Sequence, residues 1–253
     1  MGALHAGHLA LVDHAAARGA TFRAVTIFVN PLQFGEGEDL DRYPRTLEAD
    51  LKACEVHGVD LVFAPDRDAM YPAGFQTTVT LAEITQSLEG RHRPGHFDGV
   101  TTVVTKLFNL VGPCLAVFGR KDYQQWRLIE ALVRDLDMPI EVVGHPIVRE
   151  ADGLALSSRN RYLSADERAR ALGISRGLRA ASDAWAAGER NGATLLERAR
   201  AIVDAAVDRL DYVAIVEPHT LRDVSGEANL EHATLLAAAH VGSTRLIDNL
   251  ELG

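Results

Sequence analysis

Two histidines stand three residues apart near the start of the chain, in the stretch MGALHAGH. His5 and His8 lie among glycines, Gly2 and Gly7, which let a backbone approach a ligand closely. We expect a helix to begin near His8 and to offer free N–H groups and the positive end of its dipole to an anion. Imidazoles at this spacing can donate to phosphate oxygens from one side. The stretch therefore predicts a phosphate site. The alternative is a pair of surface histidines, and a metal site would need further ligands.

Two neutral amides follow the first apolar run, in the stretch NPLQFGEGEDLDRYPR. Asn30 and Gln33 are suited to hydrogen-bonding the hydroxyl and carboxylate groups of a small polar ligand. The alternative for Asn30 is that the Asn-Pro pair only turns the chain. The glycines and acids of residues 35–41 are typical of a mobile loop that could serve as a lid.

Cations and hydroxyls mark two further loops, FGRKDYQQ and LALSSRN. In the first, a glycine permits close approach, a lysine can reach a phosphate, and a glutamine lies one helical turn beyond that lysine. In the second, two serines precede an arginine whose fork of N–H donors matches a phosphate. Each loop alone is equally consistent with a solvated helix start or a capped turn. The candidate residues of these two loops are Gly119, Lys121, Gln125, Ser157, Ser158 and Arg159.

Strands and helices alternate through about Pro146, and this order must position the four loops. Apolar runs typical of buried strands occupy residues 22–30, 59–65, 114–119 and 140–146, and helical patterns occupy residues 8–19, 44–58, 99–112 and 122–136. We expect Pro44 at the start of the second helix. Such alternation implies crossover units on a parallel sheet, and ligands then bind beyond the carboxyl ends of its strands.

The order of elements changes after about Val148. Ser164 with Glu167, and Thr194 with Glu197, have the spacing of capping boxes and predict two helices. Three strand-like runs follow at residues 212–218, 234–242 and 244–252. We therefore predict a parallel-sheet domain at residues 1–147 and a smaller α+β domain at residues 148–253.

Composition and charge limit the classes of function. The 253 residues are 47% hydrophobic and 24% charged, without a run of the length that a membrane helix needs and without a visible secretory signal. Two cysteines, Cys54 and Cys114, predict a reducing compartment, the cytoplasm, and no disulfide framework. The net charge of −9 argues against nucleic acid as a partner but leaves an anionic small substrate open.

The four loops together resemble one family. MGALHAGH is similar to the HxGH signature of the nucleotidyltransferase superfamily, and the combination with FVNPLQFGEGEDLDRYPR, RPGHFDGVTTVVTKLFN, FGRKDYQQ and LALSSRNRYLS resembles the pantothenate synthetases, or pantoate–β-alanine ligases. The resemblance runs from Met1 to about Ser164. It implies that the N-terminal domain is Rossmann-like and that the smaller C-terminal domain acts as a cover. It implies an enzyme, usually a homodimer, that joins (R)-pantoate to β-alanine with ATP and Mg²⁺, through a pantoyl-adenylate, and releases AMP and pyrophosphate.

The resemblance also implies roles for individual residues. His8 is the expected catalytic acid, with His5 as its partner on the phosphates. Pantoate would be held by Gln33 and Gln125, with Asn30 nearby, and Gln33 would also contact β-alanine. The remaining catalytic candidates are Lys121, Ser157, Ser158 and Arg159. The ATP site would comprise Met1, Gly2, Ala3, Leu4, His5, Gly7, His8, Gly119, Arg120, Lys121, Asp122, Val148, Leu156, Ser157, Ser158 and Arg159. Arg91 and Arg93 could serve the lid or a dimer contact.

One feature departs from the family pattern. Members begin with a β-strand and a Pro-Thr pair ahead of the first motif, whereas this sequence starts at Met1. We therefore expect the first strand to be missing, and one alternative is a catalytically impaired form that still binds nucleotide. Another alternative is a nucleotidyltransferase acting on a phosphate acceptor, but that activity would favour basic residues where Gln33 and Gln125 stand. A histidine metal protein is a third.

Overall fold

The computed structural model describes residues 2–35 and 37–253. The chain forms two compact units, one of Met1–Arg120 with Gln124–Pro146 and one of Lys121–Tyr123 with Ile147–Gly253. The predicted fold class is confirmed, because parallel strand pairs occupy the first unit and an antiparallel sheet with two helices occupies the second. The functional division at residues 1–147 and 148–253 stays a prediction. Among the described residues no helix is both long and apolar enough to cross a bilayer.

The first unit alternates strands and helices. In chain order its elements are α1 (Ala6–Ala17), β1 (Ala24–Thr26), α2 (Leu47–Val56), β2 (Leu61–Phe63), α3 (Arg67–Met70), α4 (Leu88–His92), α5 (His96–Val111), β3 (Cys114–Gly119), α6 (Tyr123–Asp135) and β4 (Ile140–His145). Tyr123, the first residue of α6, belongs to the second unit. Strands β1 and β2 are parallel, as are β3 and β4, and each pair is a separate two-stranded sheet in the described chain.

Strand β1 is shorter than the apolar run at residues 22–30 predicts. Only Ala24–Thr26 pairs with β2, and one further bond joins the N–H of Ile27 to the carbonyl of Phe63. β2 ends there, and Pro65, two residues later, has no N–H for a ladder. Pairing with β2 therefore stops at Ile27, and the chain leads on into the turn at Asn30.

Helix α2 also starts later than predicted. Thr46 is its N-cap, so Pro44 lies outside the helix, and the hydroxyl of Thr46 donates to the carboxylate of Asp50 at 3.1 Å. Cys54 on this helix is buried with Val12 and Val25, which fastens α2 to α1 and β1.

Helix α5 is confirmed despite its β-branched residues. Five consecutive positions, residues 100–104, are buried, so packing outweighs the weak helix propensity of valine and threonine. The hydroxyl of Thr101 donates to the carbonyl of Phe97 at 2.8 Å, and that of Thr102 accepts from the N–H of Val79 at 3.0 Å. These bonds satisfy both hydroxyls inside the core.

The second unit is an α+β structure. It contains α7 (Ala165–Ala186), α8 (Gly192–Asp204), β5 (Arg209–Val216), β6 (Ala233–Val241) and β7 (Thr244–Leu252). The sheet is antiparallel in the order β5-β6-β7, and its apolar side chains share one core with both helices. The three predicted strands are confirmed.

The two predicted capping boxes have different outcomes. Ser164 accepts from the N–H of Glu167, and Glu167 accepts from the N–H of Ser164 at 2.8 Å, so the first box is present. The prediction that Thr194 caps α8 is wrong. Asn191 is the cap, and its Oδ1 accepts from the N–H of Thr194 at 3.0 Å. Asparagine ranks at least as high as threonine as a cap, and here it adds three residues to the helix.

Replacing Asn191 by Ala should lower the free energy of unfolding by about 1 kcal/mol, because the N–H of Thr194 loses its partner. Thr194→Ala leaves that bond in place and should cost less. Chemical denaturation of both variants compares them directly, and a larger loss for Thr194→Ala would contradict the assignment of the cap.

Candidate active site

The histidine loop lies at the N-terminus of α1. His5 is the N-cap residue, and its Nδ1 accepts from the N–H of Gly7 at 3.2 Å. In the neutral imidazole the proton is therefore on Nε2, which makes Nε2 the donor of this ring. The rings of His5 and His8 are stacked, with centroids 4.0 Å apart and planes 25° apart. The two imidazoles form one polar surface at the start of the helix.

The expectation of free N–H groups at the helix start needs correction. The helix begins at Ala6, and the N–H of His8 donates to the carbonyl of His5 at 2.8 Å. The N–H of Gly7 is taken by the His5 ring, as described above. A phosphate bound here would therefore meet the imidazole donors and the helix dipole rather than these two N–H groups. Met1, also predicted to contact ATP, lies outside the described residues.

The turn after β1 fixes the amide of Gln33 through Asn30. The Nδ2 of Asn30 donates to the carbonyl of Gly99 at 3.0 Å, and its Oδ1 accepts from the N–H of Leu32 at 3.3 Å. These two backbone partners settle which end of the Asn30 amide is nitrogen. Because Nδ2 also faces the Oε1 of Gln33 at 3.1 Å, that oxygen is an acceptor and the Nε2 of Gln33 points its donors elsewhere.

Asn30 has its donors and its acceptor committed to the protein. It is only 2% exposed, and the hydroxyl of Tyr71 donates to its Oδ1 at 2.7 Å in addition to the bonds above. Burial raises the pKa of Tyr71 to about 12, so the hydroxyl keeps its proton at neutral pH. A ligand could reach the Asn30 amide only by displacing one of its four hydrogen bonds. The geometry therefore indicates that Asn30 orients Gln33 rather than binding a ligand itself.

The backbone of Gln33 is held from the other side by His96. The Nδ1 of His96 lies 2.8 Å from the carbonyl oxygen of Gln33, and Arg93 faces Nε2 of the same ring at 3.0 Å. A carbonyl can only accept and a guanidinium can only donate, so the ring is the neutral Nδ1–H tautomer. Burial, and then the charge of Arg93, lower the pKa of His96 to about 4.

Arg93 also binds the loop that the sequence predicts as a lid. Its guanidinium donates to both carboxylate oxygens of Glu38, at 2.7 and 2.6 Å. Burial opposes ionisation of Glu38, but the hydrogen bonds and charge of Arg93 outweigh it and lower the pKa of that carboxyl. Glu36, within the same predicted lid, lies outside the described residues, and the role as a lid stays a prediction.

Close packing sets the position of this turn. A Cβ on Gly99 would lie 2.3 Å from the carbonyl oxygen of Leu32 and 2.5 Å from the N of Gln33. Only glycine lets α5 approach the turn this closely.

Gln125 is half-buried in the first turn of α6, where the neighbouring Gln124 donates to the carbonyl of Ile84 at 2.7 Å. No hydrogen bond of the described residues links Gln125 to Gln33.

The residues of the loop after β3 belong to different units: Arg120 ends a segment of the first unit, and Lys121 begins a segment of the second. Gly119 pairs with His145 at the end of β3, and the guanidinium of Arg120 donates to the carbonyl of Gly144 and lies over the Trp126 ring. Lys121 belongs to the second unit, with its nitrogen 4.0 Å from the carboxylate of the neighbouring Asp122.

The serine loop is braced within the second unit. Val148 and Leu156 are joined by a backbone bond of 2.9 Å. Ser157 caps a 3₁₀ turn over Ser158–Tyr162, and its hydroxyl accepts from the N–H of Arg159 at 3.2 Å. Three side chains outside the predicted set hold this loop: Asn160 donates to Glu150, and Arg168 donates to Glu150 at 2.6 Å.

The structure therefore brings some predicted residues together and leaves others in separate groups. Contacts join His5 with His8, Asn30 with Gln33, Val148 with Leu156, and Ser157 with Arg159. Sequence reasoning missed Tyr71 and left His96 without a role. Their partners, Asn30 and Gln33, lie 41 and 63 residues away, so no local spacing marks them.

Comparison with known proteins identifies relatives over the whole chain. The family model of the pantoate-beta-alanine ligases matches residues 1–251. A pantothenate synthetase of Anaeromyxobacter dehalogenans is 56% identical, with 98% of this chain and 88% of the relative covered. A pantothenate synthetase of Pelobacter propionicus is 51% identical, with 100% and 88% covered.

Solved structures agree with these relatives. The crystal structure of the pantothenate synthetase from Thermus thermophilus matches with a TM-score of 0.95 at 49% identity, covering 100% of this chain and 91% of the other. The pantoate-beta-alanine ligase of Francisella tularensis, complexed with beta-gamma ATP and beta-alanine, matches with a TM-score of 0.81 at 33% identity, covering 99% and 86%. These matches define an α/β ligase. The chain belongs to the pantoate–β-alanine ligase family.

The buried neutral His96 predicts a pH-dependent stability. The imidazole in the unfolded chain takes up a proton near its ordinary pKa of about 6.5, whereas in the folded protein it does so only near pH 4. The free energy of unfolding should therefore fall by about 1–3 kcal/mol as the pH drops from 6.5 towards 4.

The variant His96→Gln tests this prediction, because glutamine retains a donor for the Gln33 carbonyl and does not titrate. Urea denaturation of both proteins at several pH values should give a shallower acid loss for the variant. Equal slopes in the two proteins would contradict the assigned state of His96.

Proposed function

We propose that this chain condenses pantoate with β-alanine in an ATP-dependent reaction that proceeds through a pantoyl-adenylate. The observation that carries the proposal is the match to the ligase family over residues 1–251, which includes every predicted site residue. The structure of the Francisella tularensis relative is a complex with beta-gamma ATP and beta-alanine, and the proposed reaction needs a nucleotide and an amine of this kind. No finding favours the alternative of a catalytically impaired form.

The first step joins two anions. A carboxylate oxygen of pantoate forms a bond to the α-phosphorus of ATP, and the bond from that phosphorus to pyrophosphate breaks. Negative charge accumulates on the phosphoryl oxygens and the leaving group, so donors placed there lower the barrier. We assign this role to His5 and His8 through their ring N–H groups, and to Lys121, Ser157, Ser158 and Arg159 in the second unit.

The second step forms the amide. The amine of β-alanine attacks the acyl carbon of the adenylate, AMP leaves with the electron pair of the broken bond, and the amine proton passes to water or to a nearby base. AMP is a stable leaving group, so little further acid–base catalysis is needed. Since the Nε2 donors of Gln33 have a fixed direction, we assign to Gln33 contacts with pantoate and then β-alanine, and to Gln125 contacts with pantoate.

Magnesium would arrive with ATP. Among the described residues there is no group of three or more His, Cys, Asp or Glu side chains that could hold a metal ion. Mg²⁺ usually keeps several waters and binds substrate phosphates with one or two carboxylates, so it does not require such a group. When bound, the ion neutralises charge on the phosphates.

The setting of the enzyme is also part of the proposal. Both cysteines are free thiols, as is usual in a reducing compartment, and we assign the chain to the cytoplasm. We further propose a homodimer, in keeping with the resemblance to the family, with small molecules rather than nucleic acids or membranes as partners.

Isotope exchange between pyrophosphate and ATP tests the proposal directly. Exchange that needs pantoate and Mg²⁺ but not β-alanine would support a pantoyl-adenylate. Exchange that needs β-alanine as well would contradict the proposed order of steps. Absence of exchange, with no pantothenate formed by the complete mixture, would refute the activity.

Replacing His8 by Ala should reduce the pantoate-dependent exchange by about 10²–10³-fold, because one donor to the transition-state charge is lost. Thermal unfolding should change little, since the ring is only half-buried. His14→Ala, on the same helix, is the control and should keep full exchange. A near-normal rate for His8→Ala would reject the role.

Replacing Tyr71 by Phe should raise the KM for pantoate about two- to tenfold, because one bond that orients Asn30, and through it Gln33, is removed. The KM for ATP should stay unchanged and serves as the internal control. Asn30→Asp should have a larger effect, since a carboxylate cannot donate to Gln33. Equal changes in both KM values would speak against an orienting role.

A further inference from the structure

A buried carboxylate accepts two hydrogen bonds from the backbone of the histidine loop. Asp50, on α2, is 3% exposed. Its Oδ2 accepts from the N–H of Ala3 at 3.0 Å, and its Oδ1 accepts from the N–H of Leu4 at 2.8 Å and from the hydroxyl of Thr46 at 3.1 Å. Both carboxylate oxygens are therefore satisfied by protein donors, two of which belong to consecutive residues just before His5.

The conformation that Asp50 holds is one that alanine seldom adopts. Ala3 has a φ of 49°, in the left-handed region, where its Cβ crowds the backbone. Such a residue persists only when surrounding contacts compensate for the strain. Here the compensation is visible, because the left-handed turn is what directs the N–H groups of Ala3 and Leu4 to the same carboxylate.

The bonds from Asp50 also limit what the loop can offer a ligand. The N–H groups of Ala3 and Leu4 already donate to protein, so they do not serve the phosphates in the arrangement described. The loop instead presents the rings of His5 and His8, and the direction of these rings depends on the path of the residues before them. The carboxylate can thus influence phosphate chemistry without touching the phosphate.

The role of Asp50 is separable from the packing of its helix. Cys54 anchors α2 in the apolar cluster with Val12 and Val25, one turn beyond Asp50. Removing the charge of Asp50 leaves those apolar contacts intact. What it removes is the connection between α2 and the loop, across 46 and 47 residues of sequence.

We propose that Asp50 is a positioning residue for the adenylation step, which holds the histidine loop in the left-handed turn that aims His5 and His8 at ATP. The proposal rests on the proposed function, because it assumes that these histidines meet the phosphates of ATP. It assigns to Asp50 an effect on ATP that is transmitted through Ala3 and Leu4.

Asp50→Asn is the direct test. The amide has nearly the same size but only one acceptor oxygen, so it must turn an N–H group towards one of the two loop N–H groups. We expect the KM for ATP in pantoate-dependent exchange, and the Kd for ATP measured by calorimetric titration, to rise about 10- to 100-fold. The KM for pantoate should stay within twofold.

Asp60→Asn is the matched control. Asp60 also accepts a backbone N–H, that of Arg23 at 2.8 Å, in the same unit but away from the histidine loop. This variant should stay within twofold of the wild type in both KM values. An Asp50→Asn protein that also stays within twofold for ATP, or that changes both KM values equally, would overturn the proposal.

A second-site change separates positioning from direct binding. Glycine takes a positive φ without the crowding that alanine suffers. If Asp50 acts by holding Ala3, the double variant Ala3→Gly with Asp50→Asn should bind ATP at least threefold more tightly than Asp50→Asn alone. Lack of any recovery would show that the carboxylate acts on ATP or its metal ion directly, and would overturn the proposal.

Two further measurements keep the test decisive. If Asp50→Asn does not fold, Thr46→Val serves instead, because it removes only the hydroxyl donor to the carboxylate. This variant should fold and should raise the KM for ATP two- to fivefold. An unchanged KM would overturn the proposal. Calorimetric ATP binding does not depend on pantoate. A wild-type chain that binds ATP without pantoate-dependent exchange would therefore refute the proposed function, while the binding data still judge Asp50.

Discussion

The side-chain amide of Asn30 fixes the direction of the Gln33 amide, the group to which we assign contacts with the ligands in the first unit. A buried amide is costly unless its donors and acceptor are paired, and Asn30 pairs all of them with Gly99, Leu32, Tyr71 and Gln33. Two of these partners are backbone groups whose chemistry cannot be reversed. The direction of the Asn30 amide follows from them, and the direction of the Gln33 amide follows from Asn30. If Gln33 binds pantoate as proposed, its donors are directed before the ligand arrives, which avoids the ordering cost that a free glutamine would incur on binding.

Internal hydrogen bonds also fix the polar groups of the histidine loop. His5 caps α1 with one ring nitrogen, so the other nitrogen carries the proton, and Asp50 takes the N–H groups of the two residues before it. In both places the protein uses internal hydrogen bonds to decide which atoms remain for the ligand. Gln33 and His5, to which we assign contacts with the ligands, each have one side-chain polar atom committed to the protein.

Local signals in the sequence were enough for the elements and for the residue types of the site. The capping box at Ser164, the apolar face of α6 and the long apolar run of α5 each lie within a few turns of chain, and the structure confirms them. Local signals failed where two of them competed, as when Asn191 displaced Thr194 as the cap. They also failed at β1, whose length is limited by a partner strand 37 residues away. Nothing near Asn30 or His5 could indicate Tyr71 or Asp50, because tertiary contacts bring those residues in.

Many of the positive charges of this chain are paired with carboxylates, although its proposed substrate ATP is a polyanion. The chain carries a net charge of −9, and several of its cations are neutralised by their neighbours: Arg149 by Asp248 at 2.8 Å, Arg168 by Glu150 and Asp152. Lys121 differs, since the carboxylate of Asp122 is half exposed and lies 4.0 Å from its nitrogen. Pairing with a solvated carboxylate at that separation is weak, so we expect Lys121 to keep most of its charge for a phosphate. The other donors proposed for the phosphates include imidazoles and hydroxyls, which carry little or no charge, so the proposed contacts with ATP do not rely on formal charge alone.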